Sequence, residues 1–411
     1  MSRVSTCRIS GSRNLISVLS LGEQQLTGVF PRTSTLPIDS GPLELVWCPD
    51  SQLLQLSHSF DPSRMYGKDY GYRSSLNQSM VNHLTTKATN LEQRFGLRPG
   101  DCVIDIGSND ATTLKAYRTP GMKRIGVDPT GVKFSALYVD GLTLIPDFFP
   151  TPELARAVGD AKVRMITSIA MFYDLDDPIA FARAIAETLE PDGVWHLEQS
   201  YMPSMIRVNS YDTICHEHLE YYSLHSLKYV MDRAGLRILD VQMNSVNGGS
   251  FAVTVARDSS PLKSNPVIVG WLMEQEIRMR LDTPTPFRQF EERVYAHRKA
   301  LRSLIDSLNA GGQRVLGYGA STKGNVLLQF CGLTAKDIPA IAEVNQDKFG
   351  CVTPGTLIPI VSEQEAAAMK PDYFLVLPWH FKDNIIRREQ AFLASGGKLI
   401  FPLPEIEIVG G

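Results

Sequence analysis

Twice along this chain an apolar strand runs into a glycine turn and then into a helix. The first instance is CVIDIGSND followed by ATTLKAY from Cys102, and the second is QRVLGYGASTKGNVLLQFCGL from Gln313. Parallel strands need a long crossover, usually a helix, so this order is the unit of a doubly wound sheet. The pattern continues around the first instance. The helix TTKATNLEQRFGL precedes it, and the strands KRIGVDPTG and LTLIPDFF follow it. The helices PELARAV and DPIAFARAIAETLEPDG then alternate with the strands VRMITSIAMFYDL and VWHLEQSY. From Ser223 come a helix, a glycine stop, a strand, the turn SVNGGS and the return strand FAVTVAR. Around the second instance IPAIAEVNQDKFG, TLIPIVS, DYFLVLPWHF and KLIFPLPEIEIV supply further strands. The expected fold class is α/β, with one Rossmann-like sheet in the middle of the chain and another at its C-terminus.

A length of 411 residues is too great for one core. The expected division is a small β-rich module over 1–68, a first α/β domain over 69–260, a helical connector over 261–312 and a second α/β domain over 313–411. In the first module Cys7-Arg8-Ile9-Ser10 and Cys48-Pro49-Asp50-Ser51 form a matched pair. Each stands where a zinc ribbon carries CxxC, and each ends in serine. A structural zinc site takes four Cys or His ligands, so the expectation is a degenerate zinc-ribbon-like module without metal. The six cysteines form no CxxC and read as free thiols. Net charge is −3 without a basic tract, which argues against nucleic acid as a partner. No apolar run approaches ~18 residues and the N-terminus has no signal-like apolar region. A cytoplasmic protein with no membrane partner is expected.

A doubly wound sheet binds its ligand at the carboxyl ends of its strands. Gly107 lets the backbone approach a ligand closely, and Asp128 at the end of the next strand can accept bonds from ribose hydroxyls. The turn is GSND, not GxGxxG. A dinucleotide wants the further glycines for its pyrophosphate, whereas S-adenosylmethionine has no phosphate. S-adenosylmethionine is therefore the expected cofactor, held by Asp105, Gly107, Ser108, Asn109, Asp110, Asp128, Asp147 and Phe148. Asp147 suits an adenine amino group and Phe148 its ring face, although Phe148 and Phe149 also fit plain core. The C-terminal turn GYGASTKG aims amides and Lys323 at a strand end, which suits a phosphate or pyrophosphate, but it is not a Walker A loop.

The densest chemistry lies in Tyr211–Tyr222, YDTICHEHLEYY, with two histidines, two glutamates, an aspartate, a cysteine and three tyrosines. Such a cluster is a candidate for acid/base work, although ion-pair networks look the same. HxH can chelate a metal, but no further ligand with suitable spacing is evident.

Together, YGYRSSLNQSM, VIDIGSNDATTLKAY, YDTICHEHLEYYS, NGGS, GYGASTKGN and PWHF resemble the S-adenosylmethionine-dependent C-methyltransferases of nucleotide-linked deoxysugars. The resemblance covers nearly the whole chain. It implies an N-terminal zinc module, a class I methyltransferase Rossmann-like domain and a C-terminal Rossmann-like domain that closes on a sugar nucleotide. The implied substrate is a dTDP- or GDP-linked 4-keto-6-deoxy sugar, methylated at C3 after a base removes the proton made acidic by the C4 ketone. By motif, the resemblance makes His218 the base, and Glu217 a group that binds or polarises the substrate. Tyr72 becomes a contact to the sugar or enolate oxygen, and His216 orients the segment. It implies substrate contacts at Tyr70, Ser75, Asn77, Tyr222, Asn247, Tyr318, Lys323, Asn325 and His380, and a monomer or weak homodimer. Cys215 stands where the family often has tyrosine, and Asn247 where it has histidine. The competing readings are a nicotinamide-dependent oxidoreductase or epimerase built on the C-terminal turn, an inactive sugar-nucleotide-binding relative, and a methyltransferase for another carbon acid.

Overall fold

The computed structural model describes residues 1–32, 38–61, 65 and 72–410. Its centre is a seven-stranded sheet in the order Leu236–Asn244, Ser250–Arg257, Val194–Ser200, Lys162–Ile169, Asp101–Ile106, Lys123–Val127, Leu142–Ile145. Ser250–Arg257 runs antiparallel to both neighbours, and the other pairings are parallel. Helices cover both faces, so the inner strands are buried on both sides, as in Cys102–Ile106, where every residue is buried and all but Asp105 are apolar. Chain direction across the sheet switches at Asp101–Ile106, which has a later strand on one side and the next strand on the other.

The C-terminal sheet repeats the plan with six strands in the order Ile360–Ser362, Ile341–Glu343, Val315–Tyr318, Tyr373–Val376, Lys398–Phe401, Glu407–Val409. Only Glu407–Val409 is antiparallel, and the switch lies beside Val315–Tyr318.

The N-terminal sheet contains Ile16–Gln25, Ser40–Trp47 and Leu54–Leu56, all antiparallel, and takes its fourth strand from far along the chain. Glu220–Tyr221 pairs with Gln55 and Leu54, and the Leu56 amide donates to the Leu219 carbonyl at 2.9 Å. Leu54–Leu56 is fully buried, so an unpaired edge there would leave backbone groups without partners. The segment Tyr211–Tyr222 is therefore the seam of the molecule.

The helix Thr285–Ala310 buries Phe287, Phe290, Val294, His297, Leu301 and Ile305 on one face at helical spacing. All of these but His297 lie in one hydrophobic core with the N-terminal sheet and the C-terminal sheet, and Trp47 meets Phe287 with ring centres 5.3 Å apart. The stretch read as a connector is thus the spine shared by the first and last sheets. The central sheet has its own core, built around Ile104, Ile166 and Trp195, which also takes in Cys7 and Cys48. Burying one such Phe contributes about 1.5–3 kcal/mol. No helix among the described residues is long and apolar enough to cross a membrane.

Candidate active site

The carboxyl ends of the two parallel sheets face one cavity of about 490 Å³. On the central side the wall is the loop after Asp101–Ile106. Gly107 has φ +74°, and a Cβ there would press on Met171 at 3.1 Å. Asn109 and Ala111 also hold positive φ, 48° and 64°. An alanine in that region costs ~1–2 kcal/mol, so the loop's shape is held by its contacts. Asp128 holds it: one carboxylate oxygen accepts from the Asn109 amide at 2.7 Å, and the other from the amide and hydroxyl of Thr130. Asp105 is buried behind the loop and accepts from the Thr167 hydroxyl at 2.5 Å; burial pushes its pKa up to about 7. Asp147 and the half-exposed Phe148 form the rim on that side.

Residues 72–77 are bound to this loop reciprocally. The Asn109 side chain donates to the Tyr72 carbonyl at 3.3 Å and accepts from the Ser74 amide at 3.1 Å, and Asp110 accepts from the Ser75 amide at 2.9 Å. Tyr72 and Asn77 thereby reach the cavity wall, with the Tyr72 ring still half exposed. Tyr70 lies outside the described residues.

The segment 211–222 distributes its side chains among all three sheets. The Tyr211 hydroxyl meets His297 Nδ1 at 3.0 Å, and His297 Nε2–H donates to the Pro402 carbonyl. Asp212 accepts from Trp379 Nε1 at 2.7 Å and from Ser210. His216 turns the other way, with Nε2 at 3.2 Å from the Gly41 carbonyl and its ring edge-on to Phe60. Glu220 lies 3.7 Å from the Arg8 guanidinium. Most of this titratable cluster fastens elements together, and two of its side chains, Glu217 and His218, face the cavity along with Cys215.

His218 Nδ1 is 2.9 Å from the Thr213 carbonyl. A carbonyl only accepts, so Nδ1 carries the proton and the Nε2 lone pair is left free. The ring lies against Tyr173 with centres 4.2 Å apart. Burial, with the Lys323 cation adding to it, lowers the His218 pKa to about 4. Lys323 reaches the same wall from the N-terminus of Thr322–Cys331 and donates to the Asn247 carbonyl at 2.9 Å. His380 lines the wall with Nδ1 unpartnered, and burial together with Lys323 holds it well below the ordinary histidine range. Burial pushes the Glu217 carboxyl upward, and its Oε2 has no partner.

Six residues expected at the site lie off the cavity walls, each for a visible reason. His216 is sealed against the N-terminal module, as described. Asp110 is turned to its own loop, where it accepts from the Thr112 hydroxyl at 2.6 Å. Ser75 accepts from Arg73 Nε. Tyr222 is buried in the central core beside Phe172. Tyr318 donates to Glu389 at 2.8 Å and lines a separate cleft. Asn325 is fully buried and donates to the Thr27 carbonyl at 2.7 Å. Sequence reasoning also missed residues that shape the site. The Thr213 carbonyl leaves no mark in sequence. At Gly28 a Cβ would stand 2.2 Å from Glu217 Oε1, a constraint that a lone glycine 189 positions upstream does not announce.

The fit to S-adenosylmethionine is good: an open backbone loop, a carboxylate at the second strand end with lone pairs to spare, and an exposed aromatic ring at the rim. The family models and a full-length relative agree. Residues 80–241 match a family described as "Methyltransferase domain", residues 245–404 a "C-methyltransferase C-terminal domain", and residues 7–66 a "Putative zinc binding domain". C-methyltransferase NovU of Streptomyces niveus is 32% identical over 413 aligned residues, which is 99% of this chain and 97% of that protein. Among solved structures, a SAM-dependent methyltransferase from Aquifex aeolicus is 18% identical, covers 48% of this chain and 98% of its own, and has a TM-score of 0.33. One from Clostridium acetobutylicum ATCC 824 is 11% identical, covers 43% and 92%, and scores 0.33. The zinc expected of the N-terminal family does not fit the side chains present. Cys7 Sγ is 3.1 Å from Ser51 Oγ, and Cys48 Sγ is 3.6 Å from Ser10 Oγ. The four side chains converge as a knuckle would, but two are hydroxyls joined to the thiols by hydrogen bonds, and structural zinc wants four Cys or His donors. The match over nearly the full length of both chains, with the donor crevice and both α/β sheets in place, makes this chain a member of the S-adenosylmethionine-dependent C-methyltransferase family.

Proposed function

We propose that this enzyme methylates a ring carbon, C3, of a nucleoside-diphosphate 4-keto-6-deoxy sugar in deoxysugar biosynthesis in the cytoplasm. The central domain, over 69–260, binds the donor, and the C-terminal domain, over 313–411, binds the sugar nucleotide, dTDP- or GDP-linked. The observation that carries the reading is the His218 ring, held in one tautomer by Thr213 with its basic nitrogen free at the cavity. Carbon methylation needs a carbanion equivalent, and a proton beside a ketone is one that an imidazole can remove. His218 Nε2 takes the C3 proton and becomes an imidazolium, while the electron pair moves onto the C4 oxygen. Lys323, on the same wall, supplies the positive potential for an anionic acceptor. Glu217, Tyr72, Asn77, Asn247 and His380 complete the acceptor's surroundings. S-adenosylmethionine, when bound, supplies the methyl group as an electrophile. Asp128 fits its ribose, and Asp147 and Phe148 fit its adenine. Both crevices come from one chain, so a monomer or weak homodimer suffices.

Thermal-shift titration with S-adenosylhomocysteine, dTDP and GDP, singly and in pairs, tests the reading. A ligand that binds the folded state raises the midpoint as RT ln(1 + [L]/Kd). A shift with S-adenosylhomocysteine and a further shift with one nucleotide is expected. A shift with S-adenosylhomocysteine and none with either nucleotide would move the acceptor to another carbon acid.

A further inference from the structure

Gln199 stands at the carboxyl end of Val194–Ser200, one residue past Glu198, the last to pair with Lys162–Ile169. It lines the cavity and is 2% exposed, yet neither amide heteroatom has a hydrogen-bond partner. Glu198, on the opposite face of the strand, shows the contrast. Its carboxylate is held by His83 at 2.6 Å, Lys87 at 2.7 Å and Asn244 at 2.8 Å. A buried amide with nothing to bond destabilises the fold and calls for an explanation, and on a cavity wall a partner arriving from outside is one. Two other cavity-lining groups share the condition, Glu217 Oε2 and His380 Nδ1. The walls thus hold unmatched polar atoms contributed by the central sheet, the seam and the C-terminal domain.

The place of Gln199 decides what it would bond. Its strand lies two positions from Asp101–Ile106 in the sheet, roughly 10 Å away at ordinary strand spacing. The donor loop is built on Asp101–Ile106, so Gln199 falls to the acceptor's side. A neutral amide offers donors and an acceptor but no charge. That suits a carbonyl or hydroxyl edge of an uncharged ring, and a diphosphate is better served by Lys323.

We propose that Gln199 is a specificity-determining residue whose amide hydrogen-bonds the carbonyl and hydroxyl edge of the acceptor ring. The proposal rests on the sugar-nucleotide reading above. Gln199→Met keeps the volume and removes the amide, and Gln199→Ala provides a second variant should methionine pack badly. Binding of dTDP- and GDP-linked 4-keto-6-deoxy sugars is measured with S-adenosylhomocysteine present, followed by KM and kcat with S-adenosylmethionine. The expected result is an unlowered midpoint for ligand-free Gln199→Met, an unchanged S-adenosylhomocysteine shift, and a sugar-nucleotide KM raised roughly tenfold or more. An unchanged KM, or a loss of S-adenosylhomocysteine binding instead, overturns the assignment. If the wild-type protein binds neither sugar nucleotide, the sugar reading itself falls, and this proposal with it. A purely structural role for Gln199 would lower the midpoint and leave KM in place.

Discussion

The two parallel sheets have matching switch points, and they use them differently. Each begins with a positive-φ glycine packed under a neighbouring side chain, Gly107 under Met171 and Gly319 under Pro378. Each has an acid at the end of the adjoining strand that bonds the loop's amides. Asp128 binds Asn109 and Thr130, while Glu343 binds the amides of Ala320, Val344 and Asn345 at 2.9, 2.7 and 2.8 Å. The difference is what remains. Asp128 stays on the wall of the cavity, whereas Glu343 is off it, and Lys348 reaches across to the Ala320 carbonyl at 2.8 Å. The second crevice is closed by its own side chains and sends the start of the next helix, with Lys323, and the turn holding Pro378 and His380 toward the shared cavity. One architecture thus yields a nucleoside cradle in one copy and a cationic wall in the other. This arrangement disfavours a nicotinamide dinucleotide in the C-terminal unit, because Glu343, the carboxylate its ribose would need, is off the cavity wall.

The largest effect expected is at neither crevice but at the seam between them. His218→Gln should lower kcat roughly 10²–10⁴-fold and leave the thermal shift with S-adenosylhomocysteine intact. Retained turnover would remove His218 from the base role. A paired substitution tests the comparison itself. Asp128→Ala should weaken S-adenosylhomocysteine about ten- to hundredfold, because it removes charge-assisted bonds and loosens the loop. Glu343→Ala should leave that affinity unchanged and cost about 1–3 kcal/mol of stability by orphaning three amides. Equal losses of cofactor affinity in both variants, read by calorimetry, would show that the two crevices do the same job.

The α/β alternation, both sheets and the glycine turns at their switch points were legible because strand, glycine turn and helix are local signals. Asp128, Gly107 and Lys323 could be placed from their positions in such units. The seam was not legible in the same way. YDTICHEHLEYY announces itself by composition, but composition does not say that His216 faces Gly41, that Glu220 joins the first sheet, or that Tyr222 enters the central core. Each fate is decided by a partner more than 100 positions away, or by which side of an extended backbone a residue falls on. His216 and His218 are two apart, and in extended chain such residues share a side. The bond from His218 to Thr213 and the amide bond from His218 to the Cys215 carbonyl put a turn between them, and so separate their sides. The role of Thr285–Ala310 was hidden for a similar reason: it read as a helical connector because the two sheets that cover its apolar face lie elsewhere in the chain. Gln199 carried no signal, because an amide gains meaning only once its lack of partners is seen.

The smallest effect sharpens the comparison most, because it asks whether the second crevice acts on the seam through space. His218 accepts a proton only while neutral. With its pKa lowered to about 4, the acid limb of kcat/KM in the free enzyme should fall near pH 4, well below the ordinary histidine value near 6.5. Burial is the main cause, the bond to the Thr213 carbonyl opposes it, and the Lys323 cation adds a smaller lowering. Lys323→Met removes the cation and leaves the burial, so the limb should move upward, toward 6.5 but short of it. At a pH just above the wild-type limb the variant should then have lost part of its own plateau rate, while the wild type keeps its own. Weaker acceptor binding in the variant would lower the whole profile without moving its limb, so the limb reads the field at His218 separately from the contact to substrate. A limb that stays where the wild type has it would mean that Lys323 serves the acceptor alone and that burial by itself keeps His218 neutral.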